Sequence, residues 1–307
     1  MTTEIIPVFS GGVGRSGTTI VGRILKQHSN VFAGSPFEVK FITETHGLID
    51  LVFGLRKFLP TQISRKGYLL SKLSQHDPIQ LRFVKFRKRI YEDWWIRTNR
   101  LGKPSGLHRA LGISQMEELL DELGSTLNTP MEAARKFVFG YVRNHYKWNG
   151  ENYWMDTTPA NIMYADFIHR IFPEAKFIEM RRNALDNISS VLKEPWGPNN
   201  PDRAIIWWRD RVFLATEAKK LVAENQHLTL FLENLVRENR ENCYRRLISH
   251  VGLSDELEMR RYFETEVTAE RAHFGRWRRD FKNPEEFQAR FESLISQELS
   301  QQQYLLP

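Results

Sequence analysis

Ile5-Ile6-Pro7-Val8-Phe9-Ser10-Gly11-Gly12-Val13-Gly14-Arg15-Ser16-Gly17-Thr18-Thr19-Ile20-Val21 is the stretch whose reading decides the fold. Ile5, Ile6, Val8 and Phe9 form an apolar run of strand character. Beyond the glycines, Val21, Ile24, Leu25 and His28 recur at i, i+3, i+4 and i+7, the spacing of one helix face. A glycine-rich turn between a strand and a helix N-terminus gathers backbone N–H groups and the positive end of the helix dipole. Such a turn suits an anion, typically phosphate. In the triphosphate version, G-x-x-x-x-G-K-[ST], a lysine after the last glycine reaches the β- and γ-phosphates and the next hydroxyl holds Mg²⁺. Counting from Gly12, Thr18 stands at that lysine position, and the cation is Arg15, inside the turn. This loop fits one phosphate on the helix with a second charged group beside it, and it requires no metal.

Strand and helix signals alternate on both sides of a helical middle. Val31-Phe32-Ala33 predicts a short second strand. From about residue 41 to 148 the pattern is mostly helical, with apolar spacing of i, i+3/i+4 over 115–123 and 131–146. Turns punctuate it at Pro60, Asp77-Pro78, Gly102-Lys103-Pro104 and Thr129-Pro130. Strands are then expected over 153–155, 176–180 and 227–232. Helices are expected over 161–171, up to about 192, over 201–223, and over 238–251 ending at Gly252. The alternation predicts one α/β domain over 1–307, with a P-loop-like three-layer α/β/α core and a central parallel sheet. Residues 43–150 form a helical insertion. Ligands sit at the carboxyl ends of strands in such folds.

The 307 residues carry a net charge of +7, spread along the chain. That balance suits acidic ligands such as nucleotides or polyanionic glycans and is common without them. A single cysteine, Cys243, excludes an internal disulfide framework and a cysteine-rich metal site. It shares an amphipathic stretch with Leu247, Ile248 and Val251, so packing is its expected role. The first strand begins within a few residues of Met1, leaving no room for a signal peptide. No apolar run reaches the ~20 residues of a membrane span. A cytoplasmic protein is expected. Trp94-Trp95 and Trp207-Trp208 lie in helical contexts, so one ring of each faces the core, and an exposed ring near a cleft could stack on a sugar or aromatic ligand. The basic run Arg82, Lys85, Arg87, Lys88, Arg89 reads as a solvated helix face or, alternatively, a polyanion site.

The string P-V-F-S-G-G-V-G-R-S-G-T-T-I-V-G-R-I-L over 7–25 resembles the 5′-phosphosulfate loop of sulfotransferases that use 3′-phosphoadenosine 5′-phosphosulfate (PAPS). It is similar to the tyrosylprotein enzymes and to bacterial carbohydrate and small-molecule sulfotransferases. The resemblance implies that Gly14, Arg15, Ser16, Gly17, Thr18 and Thr19 wrap the 5′-phosphate. It implies that Arg15 takes the slot of the family's catalytic Lys or Arg.

Sulfuryl transfer is an in-line displacement, so the protein must position both partners, remove a proton and offset charge on the leaving oxygen. Phe177-Ile178-Glu179-Met180-Arg181-Arg182-Asn183-Ala184, with Ser190 further on, is similar to the family's 3′-phosphate segment. There Arg182 takes the Arg position and Ser190 the Ser, while Asn183-Ala184 replaces Asp-Pro. An Arg at a strand end and a Ser two turns into the next helix can converge on one phosphate.

Glu38-Val39-Lys40 resembles the E-x-[RK] portion of the segment carrying the tyrosylprotein enzymes' catalytic Glu, with two residues inserted after Gly34. Glu38 is therefore the candidate base, and His46, His108 and His145 are the alternatives. Asp156-Thr157-Thr158-Pro159-Ala160-Asn161 resembles K-T-P-x-N with Thr157 in place of Lys. Phe231-Leu232-Glu233-Asn234-Leu235 resembles Y-E-D-L, whose acidic group fixes a turn. Gly275-Arg276-Trp277 resembles the G-R-W segment that closes over the nucleotide. The reading is a PAPS-dependent sulfotransferase acting on a hydroxyl of a carbohydrate or small molecule, with no metal and no nucleic-acid partner. A P-loop kinase using ATP and Mg²⁺, and a non-catalytic nucleotide- or polyanion-binding protein, are the alternatives.

Overall fold

The computed structural model describes residues 5–54, 77–98 and 102–295; the turn expected at Pro60 lies outside them. Strand β1 (Ile6–Gly12) runs into the glycine turn and helix α1 (Thr18–Leu25), followed by the two-residue strand β2 (Val31–Phe32). Helices α2 (Leu48–Phe53), α3 (Ile79–Arg89), α4 (Ile113–Ser125) and α5 (Pro130–Arg143) occupy the middle. Strand β3 (Tyr153–Asp156) leads to a 3₁₀-helix (Pro159–Tyr164) and α6 (Ala165–Ile171). Strand β4 (Lys176–Arg181), α7 (Ala184–Val191) and α8 (Pro201–Lys219) come next. Strand β5 (His227–Phe231), α9 (Arg240–Val251), α10 (Leu257–Glu266) and α11 (Pro284–Ile295) complete the order.

The strands form one parallel sheet in the order β2-β3-β1-β4-β5. β1 is central: the chain passes from it to the edge strand β2, returns to β3 beside it, and then lays β4 and β5 on its other side. Its carboxyl end is therefore the switch point where α/β sheets open a crevice for ligands. β1 is buried on both faces, as a central parallel strand must be. Val8 packs with Val21, Ile24 and Leu25 of α1, together with Leu247 of α9 and Met259 of α10. Phe9 faces the other way. It stacks on Phe177 (5.8 Å) and meets Trp154 edge-on at 5.8 Å. Fully burying each such side chain contributes about 1.5–3 kcal/mol, so the two faces together fix the strand's register.

The helical middle is continuous with that second face. The cluster containing Phe9 runs on through Phe41, Phe86, Trp94, Phe137 and Tyr141, all buried. Edge-on aromatic pairs link Phe41 to Phe137 at 5.5 Å and to Tyr141 at 5.2 Å. A third cluster joins α7, α8 and α11 around Trp208, Trp277 and Phe291. Trp94 and Trp208 are the core-facing members of their pairs, and Cys243 is buried, as the sequence predicts. α1 stops at Leu25, short of His28, whose imidazole instead reaches Ser254 at 3.2 Å. The helix expected over 161–171 is two helices, because Tyr164, with φ −118° and ψ 18°, interrupts the helical geometry. On α3 the basic run is neutralised locally: Lys85 pairs with Asp77, Arg87 with Glu117 and Asp121, Lys88 with Glu92 and Arg89 with Asp93. Among the described residues no helix is long and apolar enough to cross a membrane.

Candidate active site

The turn after β1 is shaped by what cannot have a side chain. A Cβ at Gly12 would lie 2.3 Å from Ser16 Oγ and 2.5 Å from the Met180 carbonyl, so only glycine lets the loop fold down onto β4. Gly14, Arg15 and Gly17 all take left-handed φ, at 85°, 62° and 102°. For Arg15 that conformation costs roughly 1 kcal/mol or more, and such strain concentrates at functional turns. α1 starts after Gly17 with no side-chain cap, leaving its first N–H groups for an anion. Thr18 is buried at this first turn and Thr19 is exposed.

Arg15 reaches back over the loop. Its Nε donates to Ser190 Oγ at 3.2 Å and pairs with Glu194 Oε1 at 3.2 Å, while 42% of its side chain stays exposed. The Arg15 carbonyl accepts from Arg182 Nη1 at 3.3 Å. Arg182 Nη2 also donates to the carbonyls of Ala272 (2.9 Å) and His273 (3.3 Å). Burial pulls the Arg182 guanidinium down from the usual arginine range; Asp186 and Glu233 oppose that pull, while Arg276 and Arg15 reinforce it. The preceding Arg181 turns away from the loop. It pairs with buried Glu179 at 2.7 Å and donates to Thr216 at 3.4 Å, which leaves Arg182 as the arginine of the site.

Asp186 organises the same region. Asn183 caps α7 by accepting from the Asp186 N–H at 3.2 Å. The two Asp186 carboxylate oxygens accept from the backbone N–H groups of Gly275 (2.7 Å) and Trp277 (3.2 Å). Thus 275–277 is held against the start of α7 through its backbone. The Trp277 ring lies in the core beside Ala184, Ile188 and Phe287, with Arg278 stacked over it at 4.4 Å. Arg276 pairs with Asp280 at 3.0 Å. Asp280 also accepts from Ser189 and Lys193. Burial pushes the Asp280 carboxyl up, but those bonds outweigh it and hold it down at about 2. Glu233 accepts from the Asn183 N–H at 2.9 Å, the turn-fixing role its strand-end position implies.

Glu38 reaches the same edge of the sheet by another strap. Asp156, buried at the end of β3, accepts from the Val39 N–H at 3.0 Å, from Thr158 Oγ1 at 2.9 Å and from Asn161 Nδ2 at 2.8 Å. Thr157 donates its N–H and its hydroxyl to the Phe37 carbonyl at 3.1 and 2.8 Å. Glu38 is thereby carried on a segment sewn to the strand beside β1. It stands apart from the Arg15–Arg182–Ser190 network, and its ion-pair partner is Lys40 at 3.8 Å. Burial raises the Glu38 carboxyl above the usual range, with Lys40 pulling the other way. His145 is buried; its Nδ1 accepts from the Lys147 N–H at 3.0 Å and its Nε2 faces the Ser35 carbonyl at 3.1 Å. His108 Nδ1 sits 2.6 Å from the Trp95 carbonyl.

Sequence reasoning missed Asp156, Asp186, Asn187 and Glu194. Asn187 Nδ2 donates to the Gly14 carbonyl at 2.9 Å, so α7 grips the loop directly. A carboxylate three residues after an N-cap Asn is a visible signal for Asp186. Nothing local marks Glu194.

A glycine-rich turn at the switch point of a parallel sheet, locked to an arginine at the next strand's end, defines the class as an α/β protein with its candidate site at the carboxyl end of the central strand. Within that class the chain belongs to the sulfotransferase family, whose model matches residues 7–258. Among solved structures it is similar to sulfotransferase STF9 from Mycobacterium avium, with 11% identity, 97% of this chain and 77% of that one covered, and a TM-score of 0.49. It is also similar to the sulfotransferase domain from the curacin biosynthetic pathway (15% identity, 84% and 77% covered, TM-score 0.47). A third similar structure is a sulfotransferase from Alicyclobacillus acidocaldarius (15% identity, 95% and 96% covered, TM-score 0.42). No curated protein matches the chain in sequence.

Proposed function

We propose that the protein transfers a sulfuryl group from PAPS to a hydroxyl of a carbohydrate or small-molecule acceptor. The observation that carries this reading is the crossing of the two arginines: Arg15 Nε on Ser190 Oγ and Arg182 Nη1 on the Arg15 carbonyl. A donor with phosphates at both ends of a nucleoside needs two anion grips at fixed spacing, and these bonds tie one grip to the other. The local chemistry fits that donor. Ser16 Oγ and Arg182 Nε are buried polar atoms with no hydrogen-bond partner among the described residues, and such atoms call for a ligand or water.

In this scheme Gly14, Ser16, Gly17, Thr18 and Thr19 hold the 5′-phosphate. Arg15 offsets charge on the sulfuryl group and the bridging oxygen. Arg182, Ser190 and Arg276 serve the 3′-phosphate, and Gly275 and Trp277, whose amides are held by Asp186, fix the segment that presents Arg276. The acceptor oxygen forms a new S–O bond as the bridging one breaks, leaving 3′-phosphoadenosine 5′-phosphate (PAP). Glu38 takes the acceptor's proton, and its raised pKa makes it a better base than an ordinary carboxylate. The helical middle, 43–150, supplies much of the acceptor pocket within one domain spanning 1–307.

Thermal melting with PAP, ATP·Mg²⁺ or heparin tests the donor: PAP alone should raise the midpoint. A rise with ATP·Mg²⁺ instead would indicate a kinase, and a rise with heparin alone a polyanion binder. Transfer of labelled sulfuryl from PAPS to a panel of hydroxyl compounds then tests turnover.

A further inference from the structure

The turn that follows α7 delivers two side chains to the loop. Glu194 N–H bonds the Val191 carbonyl and Gly197 N–H bonds the Glu194 carbonyl, each at 2.9 Å, so 191–197 folds back on itself. Glu194 places its carboxylate on Arg15. Two residues later, Trp196 brings its indole Cη2 to 3.3 Å from where a Cβ on Gly14 would stand, and Trp207 Cη2 comes to 3.8 Å. The two indoles lie 6.1 Å apart, tilted by 41°. Arg211 stacks on Trp207 at 3.7 Å and donates to its carbonyl at 3.4 Å, one turn along α8. Trp207 is thus pinned, whereas Trp196 remains 53% exposed. An exposed indole beside an anion loop, backed by a second indole and a stacked guanidinium, is a prepared aromatic face. α8 packs on the 3₁₀-helix 159–164, which continues from the strand end that straps Glu38. The helix that carries Trp207 and Arg211 thus touches the segment downstream of the Asp156 strap. Arg182 grips the loop through the next carbonyl along, that of Arg15, and is itself held by the Ala272 carbonyl.

We propose that Trp196, backed by Trp207 and Arg211, is the surface on which the acceptor binds. It selects an acceptor whose hydroxyl is borne on the edge of a ring with an apolar face. This inference rests on the sulfuryl-transfer reading and deepens it. A flat ring lying on Trp196 presents its edge, and so its hydroxyl, to Arg15 next along the chain. Linear alcohols cannot cover the indole in this way. Phenols and sugars can both supply such a ring.

The test is equilibrium binding of 2-naphthol, methyl β-glucoside and 1-octanol to the protein saturated with PAP, with PAP affinity measured separately. Either ring compound should bind more tightly than 1-octanol, and the better of the two identifies the source of the ring. Trp196→Ala should weaken that ring compound about five- to tenfold, a stacking-sized effect. Trp196→Phe should restore most of it, and PAP affinity should be unchanged in both variants. Ring binding untouched by Trp196→Ala, or PAP affinity weakened equally, would overturn the assignment. Failure of wild-type protein to bind PAP would count against the donor reading alone, since titrations without PAP still probe Trp196.

Discussion

The two flanks of the Gly14–Arg15 turn are built on opposite principles. On one, polar groups from α7 and the 272–280 segment are cross-tied: Asn187 to the Gly14 carbonyl, Arg182 to the Arg15 carbonyl, Asp186 to the Gly275 and Trp277 amides. On the other, two indoles and one stacked guanidinium cover the loop, and the outermost ring is open to solvent. A hydrogen-bonded flank fixes distance and direction, as a constant ligand such as a nucleotide requires. An aromatic flank fixes a plane and little else, which suits a ligand that varies.

The comparison breaks most visibly at the proton. Glu38→Gln should slow transfer by roughly 10²- to 10⁴-fold, the usual worth of a positioned base, with PAP affinity unchanged. The pH profile carries the same information. Glu38 must be ionised to act, and burial raises its pKa, so transfer should decline on acidification at a higher pH than an ordinary carboxylate would give. Because the phosphates of PAP themselves titrate at about pH 6, the profile is taken at saturating nucleotide, where the transfer step carries the Glu38 dependence. A transfer rate in Glu38→Gln equal to wild type would remove Glu38 from the chemistry.

Arg15 sits between the flanks. Arg15→Ala should lower single-turnover transfer by about 10²- to 10³-fold, the cost of losing one donor aimed at developing charge. The substitution also takes the ion pair from buried Glu194, so the thermal midpoint is measured alongside as the control for folding. A variant that binds PAP normally and transfers at near wild-type rate would leave the loop as a grip without a catalytic cation.

How much of this was legible depends on how each piece is encoded. β1, the turn and α1 are contiguous, and Gly12 and Gly14 have backbone reasons to be glycine, so the fold class followed from 5–28. Arg182 and Ser190 share one strand–helix unit, and it was the resemblance of that unit to the family's segment that singled them out; both bond Arg15. Asp156 and Asp186 serve N–H groups more than 80 residues away, at Val39, Gly275 and Trp277, and no local pattern records such a bond. The aromatic flank is less legible still. Trp207 was visible as a helical Trp, but Trp196 owes its place to a fold-back turn and meets Gly14 only in three dimensions. A helix over 161–171 was foreseen, but its start at Pro159 and its division at Tyr164 were not, since periodicity cannot separate a 3₁₀-helix from the α-helix that follows it.

Asp186→Ala sharpens the contrast at intermediate strength. It removes both acceptors holding 275–277 and leaves two backbone donors unserved at a buried site. Bonds to a charged group contribute about 1.5–3 kcal/mol each, so PAP affinity should fall roughly 10- to 100-fold as Arg276 loses its placement. Binding of ring acceptors to Trp196 should hold. If acceptor binding collapsed with it, the two flanks would be one cooperative unit.

The smallest effect is expected at Ser190. Its hydroxyl accepts from Arg15 Nε at 3.2 Å and keeps its own proton to donate to an anion. Ser190→Ala leaves Arg15 its ion pair with Glu194 at 3.2 Å, so the guanidinium stays over the loop. What is lost is one neutral donor, worth about 0.5–1.5 kcal/mol, or roughly a two- to tenfold rise in the PAP dissociation constant by calorimetry. Ser189→Ala is the matched control, because Ser189 donates to Asp280 and not to Arg15. It should disturb the 277–280 turn while moving PAP affinity less than Ser190→Ala does. Equal effects from the two serines would mean that the hydroxyl on Arg15 has no special part in the anion grip, and the polar flank would then reduce to Arg182 and the loop amides.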